Sequence, residues 1–127
     1  MRETKAFKVL SDETKMRILN LLLEDECCVC EVMQSLEIPQ SKASRGLIAL
    51  YDAGFLKMRK ERLWSLYSLD KESIKGYRSQ LVEAVKEALK DNKIAALDKE
   101  RLKKAERVGV RCVNRLEDGI SCKAASV

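Results

Sequence analysis

Apolar residues recur at helical spacing through the first third of the chain and predict three helices. Residues 5–10 make a short amphipathic helix, and a second helix follows the N-cap candidates Ser11 and Asp12 and extends through residue 23. The second helix has a wide apolar face, which is typical of core packing. The next apolar set has the spacing i, i+3, i+4 and i+7 and marks a short third helix: Val29, Val32, Met33 and Leu36.

A proline and a glycine bound a fourth predicted helix. Pro39 pushes the residue before it out of the helical region and suits the first turn of a helix, whereas Gly54 supplies the left-handed residue that ends one. We therefore expect helix four to reach about residue 52. Its apolar face is predicted to comprise Ala43, Leu47, Leu50 and Tyr51.

Beyond Gly54 the pattern changes to that of β-strands. Two strands are predicted over residues 55–59 and 63–69, with a charged tip at residues 60–62. Asp70 is expected to cap a long fifth helix that ends near residue 91, and a sixth helical segment covers residues 92–107. This order of helices and strands predicts a mainly α (α+β) fold. Residues 1–91 are expected to form a winged helix-turn-helix. Residues 92–127 are expected to form a helical extension and a loose tail that contains cysteines.

Composition narrows the classes of protein. The chain has 127 residues, enough for one domain, and its 25 basic against 20 acidic residues give a net charge of +5. This excess fits a polyanionic partner. The longest apolar stretch, residues 18–23, is far shorter than the roughly 20 residues that span a bilayer, so we expect a cytoplasmic protein with no membrane partner. Thiols stay reduced in the cytoplasm, so the five cysteines indicate metal binding, redox sensing or core filling.

The polar face of helix four and the basic hairpin predict contacts with double-stranded DNA. Short polar and cationic side chains on a helix suit phosphates and base edges in a major groove, and a cationic hairpin suits the backbone. Solvated surface is the plain alternative for any single residue. The predicted DNA contacts are Gln40, Ser41, Lys42, Ser44 and Arg45 in the helix, and Lys57, Arg59, Lys60 and Arg62 in the hairpin.

Four segments resemble the ArsR/SmtB family of metalloregulatory repressors, especially its arsenite-responsive branch. They are "LSDETKMRILNLL", "CCVCEVMQSL", "QSKASRGLIALYDAGFL" and "LWSLYSL", and the match covers residues 7–69. The resemblance implies a homodimer that binds an operator and leaves it when a thiophilic ion binds. It also implies dimerisation through the first and last helices, with packing inside one subunit as the alternative. The matching apolar positions are Phe7, Val9, Leu10, Ile74, Tyr77, Leu81, Val85 and Leu89.

Three positions depart from the family pattern. Gly46 stands where many members have a histidine, which removes a bulky base contact and shifts base readout towards Arg45. Arg62 stands near the usual wing glycine, so we expect no tight two-residue turn. Met33 stands where the arsenite element often has its third cysteine, so the site is either completed differently or incomplete.

The cysteines and the absence of histidine favour a thiolate-only ion site. Arsenite or antimonite suits three sulfurs, and Cd(II) or Pb(II) suits three or four. Cys28 and Cys30 are the ligands that the motif favours, with Cys27, Cys112 and Cys122 as candidates for another sulfur. Residues two apart on a helix point about 200° away from each other, so binding is predicted to unwind the first turn of helix three and shift helix four.

Other functions stay open at this stage. Nearby carboxylates should raise the pKa of the thiols, which disfavours a reactive nucleophile. A thiol redox switch would oxidise Cys28 with Cys27 or Cys30 on the same DNA-binding fold. An enzyme is disfavoured because the chain has neither a histidine nor a glycine-rich phosphate loop. A DNA-binding protein indifferent to metals is the remaining alternative.

Overall fold

The computed structural model describes residues 1–107. The helices are α1 (Arg2–Leu10), α2 (Glu13–Leu21), α3 (Val29–Leu36), α4 (Gln40–Asp52), α5 (Tyr77–Leu89) and α6 (Lys93–Lys104), and the strands between α4 and α5 are β1 (Leu56–Glu61) and β2 (Trp64–Leu69). This order is a winged helix-turn-helix, as the sequence pattern predicts. No helix within residues 1–107 is long and apolar enough to cross a membrane.

The core lies where α2, α3 and α4 meet. Ile18, Leu19, Leu47, Leu50 and Phe55 are fully buried there and hold the helix-turn-helix unit against its neighbours. Asp12 caps α2 by accepting a hydrogen bond from the Lys15 backbone N–H at 3.0 Å. The prediction that Gly54 ends α4 is confirmed, because its φ of +89° lies in the left-handed region. Tyr51 is 47% exposed, so its placement on the buried face was wrong.

The hairpin differs from the prediction at its tip. Glu61 pairs with Trp64 in the antiparallel register, so the tip is the two residues Arg62 and Leu63. Arg62 takes the left-handed conformation itself, with φ of +56°, although this position usually favours glycine. The expectation that a tight two-residue turn is excluded was therefore wrong, since a non-glycine residue adopts the required backbone.

The region after the hairpin also differs. The Asp70 side chain accepts hydrogen bonds from the backbone N–H and hydroxyl of Ser73, at 3.3 and 2.9 Å. Asp70 therefore closes a turn, and α5 begins at Tyr77 after Gly76, whose φ is +59°. The predicted helix cap at Asp70 was wrong because the side chain is used locally, before the helix starts.

Helix α6 packs against α3 and α2. Asp98 of α6 is buried, and Arg17 of α2 donates Nε to one of its carboxylate oxygens at 2.9 Å and Nη2 to the other at 2.7 Å. This paired contact fixes α6 on the helix-turn-helix unit. The described part of the predicted C-terminal extension thus lies directly on the helix that follows the cysteines, and residues 108–127, including Cys112 and Cys122, lie outside the described residues.

Candidate functional site

The cysteine segment joins the hairpin to the start of α3. Cys27 forms an isolated antiparallel bridge with Tyr67 of β2, through N–H to O bonds of 2.9 and 2.8 Å in the two directions. Cys28 is the N-cap of α3, with extended backbone at φ −89° and ψ 169°, and Cys30 lies in the first turn. The premise that Cys28 and Cys30 share a helical turn was wrong, so their sulfurs are not held on opposite sides by helix geometry.

All three thiols of the segment are buried, at 0%, 2% and 1% exposure for Cys27, Cys28 and Cys30. Burial raises the pKa of Cys28 to about 11, and the negative charge of Glu31 adds to this effect. Backbone N–H groups of Glu31 and Cys30 act in the opposite direction because they stabilise a thiolate. The pKa of Cys27 is raised still further, again chiefly by burial. Carboxylate repulsion was thus correctly expected to raise the pKa, but desolvation is the larger cause.

Arg107, at the end of the described residues, contacts the cysteine segment, and Glu31 of α3 connects the two. Oε1 of Glu31 accepts the backbone N–H of Cys28 at 3.0 Å and Nε of Arg107 at 2.9 Å. Arg107 also donates Nη2 to the backbone carbonyl of Glu26 at 3.3 Å. One guanidinium therefore supports the carboxylate that caps α3 and the backbone just before the thiols.

Gln34 makes a second connection to the end of the described chain. Its side chain donates to the carbonyl oxygen of Glu106 at 2.8 Å and accepts the Glu106 backbone N–H at 3.1 Å. The same Nε2 donates to the carbonyl oxygen of Cys30 at 3.0 Å and lies 3.5 Å from its sulfur. The sequence pattern missed this network because 72 residues separate Gln34 from Glu106 and no local spacing connects them.

The acidic residues before the thiols line an open pocket of about 310 Å³ beside α6. Glu26, Glu31 and Arg107 line this pocket and also take part in the network that covers the cysteines. Within residues 1–107 the structure gathers no group of three or more Cys, Asp or Glu side chains that could hold a metal ion. The donor set fits a thiophilic ion in kind, since two adjacent soft ligands are present, and a complete three-sulfur site requires a further cysteine.

Helix α4 presents a polar exposed stripe. Ser41, Lys42 and Arg45 are exposed, whereas Gln40 and Ser44 are half-buried. Gly46 does not lie on this stripe: it is buried, and a Cβ there would lie 2.5 Å from Cδ1 of Ile18 in α2. Position 46 therefore faces α2 at very close approach, and packing against Ile18 explains the glycine, a reason that the comparison with the family's histidine did not supply.

The predicted cations of the hairpin are all exposed on β1 or its turn: Lys57, Arg59, Lys60 and Arg62. Arg59 already has carboxylate partners. Its Nε donates to Oε2 of Glu26 at 3.0 Å, its Nη2 donates to the other oxygen of Glu26, and that Nη2 lies 3.2 Å from Glu61. This guanidinium holds the pKa of the Glu26 carboxyl below its ordinary value.

Helices α1 and α5 meet at their exposed faces. The rings of Phe7 and Tyr77 stack with centroids 6.1 Å apart and an interplanar angle of 4°, and Phe7 remains 55% exposed. Val9, Leu10 and Val85 are buried within the single chain. The other predicted interface positions are half-buried: Ile74, Leu81 and Leu89.

Comparison with known proteins connects this fold with a family. The model of the family described as "Bacterial regulatory protein, arsR family" matches residues 12–57. The arsenical resistance operon repressor of Bacillus subtilis is 33% identical over 75 residues, which cover 58% of this chain and 71% of that protein. This chain belongs to the ArsR family. The family and the fold are those of DNA-binding transcriptional regulators and not those of enzymes.

This ArsR-family chain is also similar to a cadmium resistance regulator and to a solved DNA-binding domain. It is 44% identical over 84 residues to the cadmium resistance transcriptional regulatory protein CadC homolog of Staphylococcus aureus; the match covers 65% of this chain and 66% of that protein, just under two thirds of its length. The homodimeric winged helix-turn-helix DNA-binding domain of Mb0332 from Mycobacterium bovis has a TM-score of 0.59 at 22% identity, over 72% of this chain and 82% of that one. The latter supports the fold.

Proposed function

We propose that this ArsR-family protein is a homodimeric repressor that binds operator DNA and is released when arsenite or antimonite binds cysteine thiolates at the start of α3. The observation that carries the proposal is the position of Cys28 and Cys30. They are buried at the N-terminus of the helix that packs directly on α4, the helix that presents Ser41, Lys42 and Arg45. An ion bound there acts on the element that contacts the operator.

The DNA-binding surface in this proposal combines the exposed stripe of α4 with the hairpin. Arg45 contacts base edges, and the half-buried Gln40 and Ser44 orient the start of the helix on the backbone. Lys57, Lys60 and Arg62 contact phosphates. Each neutralised phosphate steepens the salt dependence of binding by about 0.9 in the logarithmic slope.

The dimer in this proposal forms through α1 and α5. Phe7 and Tyr77 already stack on each other and leave an exposed aromatic surface that a second copy can cover. The half-buried Ile74, Leu81 and Leu89 extend that surface. Leu10 and Val85 support it from inside the chain. In this proposal residues 1–91 bind DNA and form the dimer. Residues 92–127 form the extension that carries the additional cysteines.

The third sulfur is proposed to come from the C-terminal extension. Cys27 is disfavoured because both of its backbone hydrogen-bonding groups are paired with Tyr67, which fixes this residue against the hairpin. Arg107 contacts Glu31 beside Cys28, and five residues of extended chain reach about 17 Å. We propose Cys112, five residues after Arg107, as the third ligand, with Cys122 of the same or the partner subunit as the alternative.

The chemistry of binding separates the candidate ions. The pKa of Cys28 is about 11, so the sulfur carries a proton at neutral pH. Arsenous acid, As(OH)₃, reacts with three thiols to give an As(SR)₃ centre and three waters, with no net release of protons. Cd(II) or Pb(II) releases one proton for every thiolate it binds. A cadmium or lead sensor is the second candidate function, favoured by the similarity to the CadC homolog.

A redox switch on the same fold has less support. Burial raises the pKa of both Cys27 and Cys28, and oxidation requires an accessible thiolate. Buried, protonated thiols of this kind react slowly with oxidants, so we favour ion binding over oxidation as the signal.

Fluorescence anisotropy of the reduced protein on a duplex from upstream of its own gene tests the proposal. We expect arsenite to release the wild type but not a Cys28→Ser, Cys30→Ser variant, and Cys27→Ser serves as the matched control that should still respond. Cys112→Ser and Cys122→Ser identify the third ligand by loss of the response. Titrations in weak buffer with a pH indicator distinguish the two ions, because Cd(II) releases a proton for every thiolate it binds and arsenite releases none. Operator binding that is unaffected by every thiophilic ion would refute the sensor proposal, and release by mild oxidant alone would support the redox switch.

A further inference from the structure

The segment before the thiol pair is bound to both strands of the hairpin. On one side, Glu26 makes the paired contact with Arg59 of β1, with Nε to Oε2 at 3.0 Å. On the other side, the backbone of Cys27 exchanges two hydrogen bonds with Tyr67 of β2. Tyr67 itself pairs with Met58 across the hairpin. Cys27 therefore forms an isolated one-residue bridge beside the β1–β2 hairpin, the wing of the fold, and Glu26 contacts the same hairpin through its side chain.

The same segment leads directly into the thiols. Cys28 follows Cys27 and caps α3, and its N–H is bound by Glu31. Any ion that takes the Cys28 sulfur must adjust the backbone at this cap. Because the next two residues towards the N-terminus are held by the wing, that adjustment acts on Arg59 and Tyr67 without first passing through α4.

We propose that Glu26 acts as a phosphate mimic that competes with operator DNA for Arg59, and that ion binding at Cys28 strengthens this competition. The inference rests on the proposed function and names the regulation of its site. Nε and Nη2 of Arg59 bind Glu26, and Nη2 also lies 3.2 Å from Glu61. Both donor pairs of the guanidinium include Nη2, so Arg59 must release a carboxylate before it can bind a phosphate through two parallel N–H groups. The wing therefore loses one phosphate contact whenever Glu26 holds Arg59.

Reciprocal linkage gives this competition a measurable consequence. If the ion favours the Glu26–Arg59 contact and DNA opposes it, removal of the Glu26 charge must tighten operator binding and weaken the effect of the ion on that binding. A substitution that only perturbs the structure near the cysteines would not add a phosphate contact. The slope of log affinity against log salt is therefore the distinguishing measurement.

The first test compares Glu26→Gln with Glu37→Gln by anisotropy over a range of salt concentrations. Glu37 is a matched control because it pairs with Arg101 at 2.9 Å at the other end of α3 and carries the same charge. We expect Glu26→Gln to tighten operator binding, to steepen the salt slope by about 0.9 relative to Glu37→Gln, and to reduce the arsenite-induced loss of affinity by about fivefold. In an Arg59→Gln background the Glu26 substitution should have no further effect on the slope. Equal slopes for the two glutamate variants would overturn the inference.

The second test needs no DNA. In ¹⁵N NMR spectra of the free full-length protein, arsenite should shift the backbone amide of Tyr67 and the Nε–H signal of Arg59, and Glu26→Gln should abolish only the shift at Arg59. Unchanged signals at both groups in an arsenite-bound sample would overturn the inference even if arsenite still released the operator. Absence of operator binding by the wild type would instead refute the proposed function.

Discussion

Gly46→Ala tests how closely helix α4 approaches α2 in the core. An ideal Cβ at this position would lie 2.5 Å from Cδ1 of Ile18, whereas carbon atoms pack best at about 3.5–4.0 Å. The terminal methyl group must therefore move by about 1 Å or more. Ile18 is fully buried, so no solvent space is open to it.

Two opposing contributions decide the sign of the effect. Alanine is about 1 kcal/mol better than glycine in a helix interior, which favours the variant. Overpacking of a core costs about 1–3 kcal/mol, which opposes it. We therefore expect Gly46→Ala to lower the free energy of unfolding by up to about 2 kcal/mol, although the same substitution at an open helical position would be stabilising.

Ile18→Val supplies the decisive comparison because it removes Cδ1. Alone, it should cost about 0.5–1.5 kcal/mol through loss of packing. Together with Gly46→Ala it should leave a protein about as stable as wild type, with a favourable coupling of about 1–3 kcal/mol. Urea denaturation followed by far-UV circular dichroism measures all four proteins. Ile18→Val combined with Gly76→Ala is the control pair: the φ of +59° at Gly76 makes that substitution destabilising by itself, but its Cβ would meet nothing within 4 Å, so the two effects should be additive. Additive effects of the Gly46 and Ile18 substitutions would refute the close approach.

Three other predictions follow from the site and its supports. Arg17→Met should lower the free energy of unfolding by about 3 kcal/mol in thermal or urea denaturation, because it leaves the carboxylate of Asp98 buried without its partner. Burial raises the pKa of Cys28 from 9.0 to about 11, so between these pH values the folded chain retains a proton that the unfolded chain releases. The contribution of Cys28 to stability should therefore be fully present below pH 9 and fall as the pH rises towards 11. The Tm measured against pH should fall less in Cys28→Ser than in the wild type. Arg45→Ala should change operator sequence preference, whereas Lys57→Ala should weaken binding to all duplexes and lower the salt slope by about 0.9; uniform loss from both would contradict these roles.

The parts of the fold that the sequence predicted are those with local causes. The spacing of Val29, Val32 and Leu36 and the turn at Pro39 specify α3 and α4 within a few residues of their positions. The wing strands were predicted equally well by their β-forming residues. Asp70 was misassigned because one Asp can cap a helix or close a turn, and local propensity does not distinguish these roles. Arg62 was misjudged because tertiary pairing holds a non-glycine residue in a left-handed conformation.

The surroundings of the cysteines could not be predicted because they depend on contacts between distant residues. The thiol motif itself is visible in the sequence, but its hydrogen-bonded surroundings include Arg107, Gln34 and Tyr67, which no periodicity connects with it. The position of Gly46 is similar, since its role becomes apparent only when α2 is placed against α4.

The segment of residues 26–28 therefore serves three structural roles at once: it pairs with the wing, caps α3 and carries a candidate ligand. In the proposed mechanism, an ion that binds Cys28 takes the place of the proton on a buried sulfur at this cap. The rearrangement then reaches the hairpin through Glu26 and Cys27, and helix α4 through α3. Both elements that are proposed to contact DNA are thus joined to one short stretch of chain. A small displacement there can change two surfaces together, which gives a larger difference in operator affinity than either contact would alone.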